Sequence, residues 1–151
     1  EIQTTLATNN MMKKYKDYVD PDVKVVVDPD QLKRVINNII TNAIKYSDKE
    51  NGLVEIYLYD EGDTIKVSIS DDGKGIDEES LPHIFDRTFR ADSARQSRGG
   101  SGLGLAICKK IIEEHGGKIW AKSKLGVGTT IMFELNKYTK GDEANEQSSD
   151  N

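Results

Sequence analysis

The stretch Arg98-Gly-Gly-Ser-Gly-Leu-Gly-Leu-Ala-Ile-Cys108 constrains this chain more than any other. Gly99, Gly100, Gly102 and Gly104 run directly into a helical apolar pattern of Leu105, Ile107, Ile111 and Ile112. Glycine lets a backbone turn sharply and approach a neighbour with no Cβ in between. A helix that opens straight after such a loop points its unpaired N–H groups, and the positive end of its dipole, at whatever sits there. Anions, phosphates above all, suit that place. Taken alone, the run reads equally well as a flexible loop ahead of a buried helix, so its meaning depends on the rest of the chain.

With 151 residues the chain is long enough for one domain with a sizeable core. Its net charge is −5, with acidic and basic residues interspersed and no polybasic run. That pattern argues against nucleic acid as a partner. No apolar run reaches the roughly 18 residues of a membrane-spanning helix, so this segment is not expected to insert in a membrane. The one cysteine, Cys108, lies inside the apolar pattern and reads as a small core residue. It has no partner for an internal disulfide, which fits a reducing compartment.

Taken in order, Ile2 to Ala7 reads as a strand, and a chain opening on a strand looks like a piece excised from something longer. Asn9 to Val19 carries Met11, Met12, Tyr15, Tyr18 and Val19 at near-helical spacing and reads as a short helix or ordered loop. Val23 to Val27 is a short strand. Asp28-Pro29 then starts a helix, with Asp28 as N-cap and Pro29 at the first helical position, running to about Tyr46. Leu53 to Tyr59 and Ile65 to Ser70 alternate apolar and polar residues around Asp60-Glu-Gly-Asp63, a β-hairpin. Leu81 to Phe85 suits one helical turn. Asp86 to Gly102 has almost no apolar periodicity, as expected of a functional loop or lid. Leu103 to His115 is the second long helix, closed by Gly116. Lys118 to Ser123 and Thr129 to Leu135 are two further strands. The expected fold is α+β, a two-layer sandwich with a mixed sheet of about five strands, helices on one face and a mobile lid. Residues 1–136 form the domain, and 137–151 a disordered acidic tail.

Two further constellations bear on chemistry. Asn38, Asn42 and Lys45 share one polar stripe of the first helix. Asn is a poor helix former, up to ~0.7 kcal/mol worse than Ala, so its repetition has to be explained. Simple solvent exposure is one explanation. The other is that amide oxygens ligate a hard cation such as Mg²⁺, which takes few protein oxygens and completes its shell with water and phosphate. Lys45 would then face phosphate, and the Tyr46 ring could rest against a base. The second constellation is Asp71-Asp-Gly-Lys-Gly-Ile76, at the end of a strand. An ionised Asp only accepts hydrogen bonds, so it suits the amino group of adenine and opposes O6 of guanine. An acidic turn is the plain alternative.

Together these residues resemble the sensor histidine kinases. Asn38-x-x-x-Asn42-Ala-Ile-Lys-Tyr46 looks like their N box, Asp71-x-Gly73-x-Gly75-Ile their first glycine box, and Phe85-Asp-Arg-Thr-Phe-Arg90 their F box. Gly100-Ser-Gly-Leu-Gly-Leu105 looks like the second glycine box, and Gly126-x-Gly128-Thr129 the closing glycine turn. The five motifs keep the family's order over roughly residues 25 to 136. The resemblance implies a catalytic, ATP-binding domain with the fold shared by gyrase-type and heat-shock chaperone ATPases.

By motif, it implies that Asp71 accepts from the adenine amino group with support from Thr129, and that Tyr46, Gly73, Gly75 and Ile76 lie around the base. Asn38 and Asn42 would hold Mg²⁺ and Lys45 would meet phosphate. Gly100, Ser101, Gly102, Leu103, Gly104 and Leu105 would surround the phosphates, with Arg87 and Arg90 in the lid. The implied partners are a histidine phosphoacceptor and dimerisation domain of the same protein and a response regulator. The implied setting is the cytoplasmic part of a membrane-anchored bacterial sensor, with the isolated domain a monomer. Thr88 departs from the F box, where a second Phe is usual, and Ser101 stands where Thr is common. His83 and His115 lack the family's acceptor context. Two other classes stay open: an ATP hydrolase of the same fold, and a non-catalytic nucleotide-binding module. The hydrolases, by resemblance, carry a Glu base where Asn38 stands, and an amide cannot act as a general base.

Overall fold

The computed structural model describes residues 12–47, 52–87 and 104–139. The strand expected at Ile2 to Ala7, most of the loop expected between Asp86 and Gly102, and the tail beyond Thr139 lie outside them. The elements are β1 (Met12–Asp17), α1 (Pro29–Lys45), β2 (Leu53–Asp60), β3 (Thr64–Asp71), a 3₁₀ turn at Leu81–His83, α2 (Gly104–Glu114), β4 (Lys118–Lys124) and β5 (Gly128–Asn136). They make one five-stranded sheet in the order β1-β2-β3-β5-β4. The β1–β2 pair is parallel and the other pairs are antiparallel, so the sheet is mixed as expected.

Local chemistry accounts for most element boundaries. Asp28 Oδ1 accepts from the Asp30 N–H at 2.9 Å and the Gln31 N–H at 3.4 Å, closing the start of α1 above Pro29. In the β2–β3 hairpin the Gly62 N–H donates to Asp60 Oδ1, with Gly62 at φ +98°. At the end of α2, Gly116 turns at φ +76° and the Gly117 N–H reaches back to the Ile112 carbonyl.

The segment around Met12 corrects the sequence reading. The near-helical spacing of Met11, Met12, Tyr15, Tyr18 and Val19 is incidental, and Met12–Asp17 is a strand. It lies along the edge of β2, from Met12 against Leu53 to Asp17 against Leu58. A partner strand far along the chain supplies its hydrogen bonds, and Tyr15 and Tyr18 are exposed rather than packed on a core. Tyr18 instead stacks on Tyr59, with ring centroids 5.5 Å apart. The strand expected at Val23 to Val27 reduces to one bridge, Val25 with Lys137. Lys137 also pairs with Asp60 at 2.6 Å, and the Tyr138 N–H donates to the Lys24 carbonyl. Lys137 and Tyr138, which the composition assigns to the tail, are thus bonded to the domain.

The core lies between the two helices and one face of the sheet. Val35, Ile39, Ile40 and Ala43 of α1 and Leu105, Cys108, Ile111 and Ile112 of α2 meet alternate residues of the strands, among them Val54, Ile56, Val67, Ile69, Ile131 and Phe133. Two consequences position the site. The central strand β3 ends at Asp71, paired with Val54 on one side and Thr129 on the other. The C-terminus of α1 meets the same end of the sheet, because the Lys74 N–H donates to the Tyr46 carbonyl at 3.2 Å.

Candidate nucleotide site

At the end of β3, one carboxylate oxygen of Asp71 gathers two backbone donors. Asp71 Oδ1 accepts from the Gly73 N–H at 2.9 Å and from the Thr129 N–H at 3.3 Å. Such bonds fix the side chain's direction, and a carboxylate there offers acceptors only. The adjacent Asp72 turns elsewhere. Its Oδ1 accepts the Leu53 N–H at 2.9 Å and anchors the start of β2.

The glycines here are demanded by the protein's own backbone. A Cβ on Gly73 would stand 2.7 Å from the Tyr46 carbonyl oxygen, and one on Gly75, at φ +75°, 2.2 Å from that of Lys124. Gly128, at φ +148°, lies so close to β3 that its Cβ would be 2.1 Å from the Asp71 carbonyl oxygen. The Lys74 carbonyl in turn accepts from the Gly126 N–H at 2.7 Å. The two glycine turns therefore interlock, and they hold Asp71, Ile76 and Thr129 together.

Ser123 escapes a reading of the sequence, in which it is only the end of a strand. Its Oγ lies 2.7 Å from the Ile76 N–H, 2.9 Å from the Gly128 carbonyl and 2.7 Å from Thr129 Oγ1. One hydroxyl thus joins β4, the first glycine turn and β5. A serine near a strand end is the one trace of this in the sequence, and its pairing with Thr129 emerges only in the sheet.

On the α1 side, Asn38, Asn42, Lys45 and Tyr46 are each half-buried. Lys45 Nζ sits 5.6 Å from the centroid of the Tyr46 ring, and burial raises the pKa of the Tyr46 phenol. Cys108 of α2 is fully buried, its Sγ directed at the Val35 carbonyl at 3.5 Å. Burial pushes its pKa up to about 12, opposed by a hydrogen bond from Asn38. Gly104 opens α2, and among the described residues a Cβ there would meet nothing within 4 Å. Leu105 behind it is buried in the core.

The polar stripe of α1 offers neutral amide oxygens of a kind that a hard cation such as Mg²⁺ accepts. Among the described residues no cluster of three His, Cys, Asp or Glu side chains could cage a metal. Two amide oxygens one turn apart on α1 would leave most of an octahedron to water and phosphate. Of the remaining candidates, Arg87 is exposed and lines a separate groove with Phe85, Ala106, Ile107 and Lys110. Arg90, Gly100, Ser101, Gly102 and Leu103 lie outside the described residues, as does Thr88.

Comparison with known proteins agrees with this geometry. The family described as histidine kinase-, DNA gyrase B- and HSP90-like ATPase matches residues 27–139. The catalytic domain of the histidine kinase ThkA is 32% identical, with a TM-score of 0.75 over 89% of this chain and 86% of that one. The chain belongs to this family, as a sensor histidine kinase ATP-binding domain. The mycobacterial sensor histidine kinase MprB shares the fold with a TM-score of 0.76 at 29% identity, over 90% of this chain and 93% of that one. The sensor histidine kinase WalK of Bacillus subtilis (strain 168) is 45% identical over 119 residues, 77% of this chain and 19% of that protein. The chain thus spans about a fifth of that curated relative's length.

The two histidines of this family member are engaged in structure. His115 Nδ1 donates to the Ile111 carbonyl at 2.7 Å, and its Nε2 accepts the Asp28 N–H at 3.2 Å, tying the end of α2 to the cap of α1. His83 is exposed beside Asp86, with Nδ1 3.1 Å from Oδ2. Among the described residues no helix is long and apolar enough to cross a membrane.

Proposed function

We propose that this chain binds Mg–ATP and offers the γ-phosphoryl to a histidine on a separate dimerisation and phosphoacceptor domain, in two-component signalling. The observation that carries the reading is the Asp71 carboxylate, held by the Gly73 and Thr129 N–H groups beside the polar stripe of α1. Asp71 would accept from the adenine amino group, with Thr129 in support and Tyr46 and Ile76 about the ring. Asn38 and Asn42 would hold Mg²⁺, and Lys45 would meet phosphate as a point charge. The N-terminus of α2 at Gly104 would face the phosphates, continuing the Gly100 to Leu103 run. Mg²⁺, once bound, would offset phosphate charge and help orient it.

Phosphoryl transfer needs little covalent chemistry from the protein and much positioning. Nothing at position 38 can activate water, which favours transfer over hydrolysis. A response regulator is the proposed downstream partner. The histidine kinase ThkA in complex with the response regulator protein TrrA is 30% identical to this chain, with a TM-score of 0.72 over 91% of this chain and 37% of that one. A cytoplasmic place beneath a membrane-anchored sensor follows from the same reading.

The experiment is incubation with γ-labelled ATP, with and without the acceptor domain supplied as a separate fragment. Label should stay off His83 and His115 and appear on the fragment, slowly, because untethered pieces lose effective concentration. Label on either histidine of this chain, or steady phosphate release at the rate of a dedicated ATPase, would contradict the assignment.

A further inference from the structure

Hydrogen bonds around Ser123 can run in only one set of directions. A hydroxyl has one proton to give and two lone pairs to receive. Ser123 Oγ faces an obligate donor, the Ile76 N–H at 2.7 Å, and an obligate acceptor, the Gly128 carbonyl at 2.9 Å. Its proton therefore goes to Gly128, and one lone pair is taken by Ile76. The remaining contact, 2.7 Å to Thr129 Oγ1, becomes a hydrogen bond only if Thr129 is the donor. The opposite choice would turn Ser123 and the Gly128 carbonyl lone pair to lone pair across 2.9 Å.

We propose that Ser123, which touches no ligand itself, is a positioning residue for base recognition: by taking the Thr129 proton it leaves Thr129 to face the base as an acceptor only. The inference rests on Asp71 and Thr129 forming the base end of the nucleotide site. Asp71 and Ser123 are the register partners of Thr129 on β3 and β4, so the three side chains share one face of the sheet, and Thr129 is buried. An ionised carboxylate and a hydroxyl stripped of its donor make a floor of acceptors. Such a floor suits a 6-amino purine, directly or through a water that donates to it, and opposes a 6-oxo group. A free threonine hydroxyl would rotate and donate to a 6-oxo group. Ser123 would thus remove an ambiguity that Asp71 alone leaves.

The test is a calorimetric titration of ADP and IDP against wild type, Ser123→Ala, Ser123→Thr and Thr129→Val. Wild type should prefer ADP. Ser123→Ala should cut that preference about three- to tenfold, the worth of one ordinary hydrogen bond, while Ser123→Thr keeps it. Adding Ser123→Ala to Thr129→Val should leave the ADP-to-IDP ratio unmoved, because no hydroxyl then remains to be reoriented. Equal weakening of both nucleotides by Ser123→Ala would show a merely structural serine and overturn the proposal. A wild type with no preference at all would instead overturn the assignment of Asp71. Should Ser123→Ala fail to fold, proton NMR of the wild type decides. The Thr129 hydroxyl proton should cross-relax with the Ser123 β-protons, and a Ser123 hydroxyl proton directed at Thr129 would refute the polarity.

Discussion

The two ends of the candidate site are built by different means. At the base end, Asp71, Gly73, Ile76, Ser123, Gly128 and Thr129 come from β3, β4, β5 and the turns between them, bonded to one another before any ligand is considered. Gly73, Gly75 and Gly128 are glycines because another segment of backbone occupies the place of a Cβ. At the phosphate end, Asn38, Asn42 and Lys45 project from a single helix, and among the described residues the Cβ position of Gly104 faces open space. One end is rigid because the fold needs it so. The other consists of side chains on one helix and the N-terminus of a second. On the proposed reading, base choice would be set by the scaffold, and phosphate and metal binding by groups that a ligand organises.

Exchanging glycine for alanine at each end should break the comparison most visibly. Gly128→Ala places a Cβ 2.1 Å from the Asp71 carbonyl oxygen, at φ +148°. It should cost about 2–4 kcal/mol from strain and overpacking, read by denaturant unfolding. The same change at Gly104 should leave the protein as stable or up to about 1 kcal/mol more stable, by helix propensity, yet weaken nucleotide binding. Equal stability losses at the two positions would erase the distinction.

Asp71→Asn sharpens the base end. The amide oxygen can still accept from Gly73 and Thr129, so unfolding should shift little. The charge is lost and a donor appears, and ADP affinity should fall about 10- to 100-fold, as for a hydrogen bond to a charged group. Asn42→Ala sharpens the phosphate end. Its stability should stay within about 0.7 kcal/mol of wild type, the spread of helix propensity, while the gain in ATP affinity on adding Mg²⁺ disappears. Unfolding of this variant would instead make Asn42 a structural residue.

A smaller effect concerns Cys108, which joins the helices between the two ends. Its pKa is raised to about 12 by burial, so near pH 8 it remains a protonated thiol. Maleimide should label it slowly in the native protein and promptly in denaturant. Fast native labelling would mean that α2 lifts from α1 often.

What can be read from the sequence divides along the same line. The N-cap at Asp28, the hairpin at Asp60 to Asp63, the polar stripe of α1 and the carboxylate at the end of β3 are each encoded within a few neighbouring residues. Periodicity and turn chemistry reach that far. β1 reads wrongly because its hydrogen bonds come from β2, about 40 residues away (Tyr15 against Ile56), and nothing within Met12–Asp17 reveals that edge. Ser123 stays hidden for the same reason, since it binds Ile76 across 47 positions. The motifs set Gly73 and Gly75 beside Asp71, but the expected reason for them is incomplete. A ligand's approach is one demand on these positions, and the Tyr46 and Lys124 carbonyls already exclude a Cβ there.

Calorimetric titration of the wild-type chain with ADP and with GDP, each with Mg²⁺, tests the central claim most directly. Both nucleotides offer the same phosphates to α1 and α2, so their difference reports on the base end alone. The Asp71 carboxylate, pinned by the Gly73 and Thr129 N–H groups, should accept from the 6-amino group of adenine and repel O6 of guanine. ADP should bind at least about tenfold more tightly, as expected for a charged hydrogen bond gained in one case and opposed in the other. Equal affinity for the two would contradict the account.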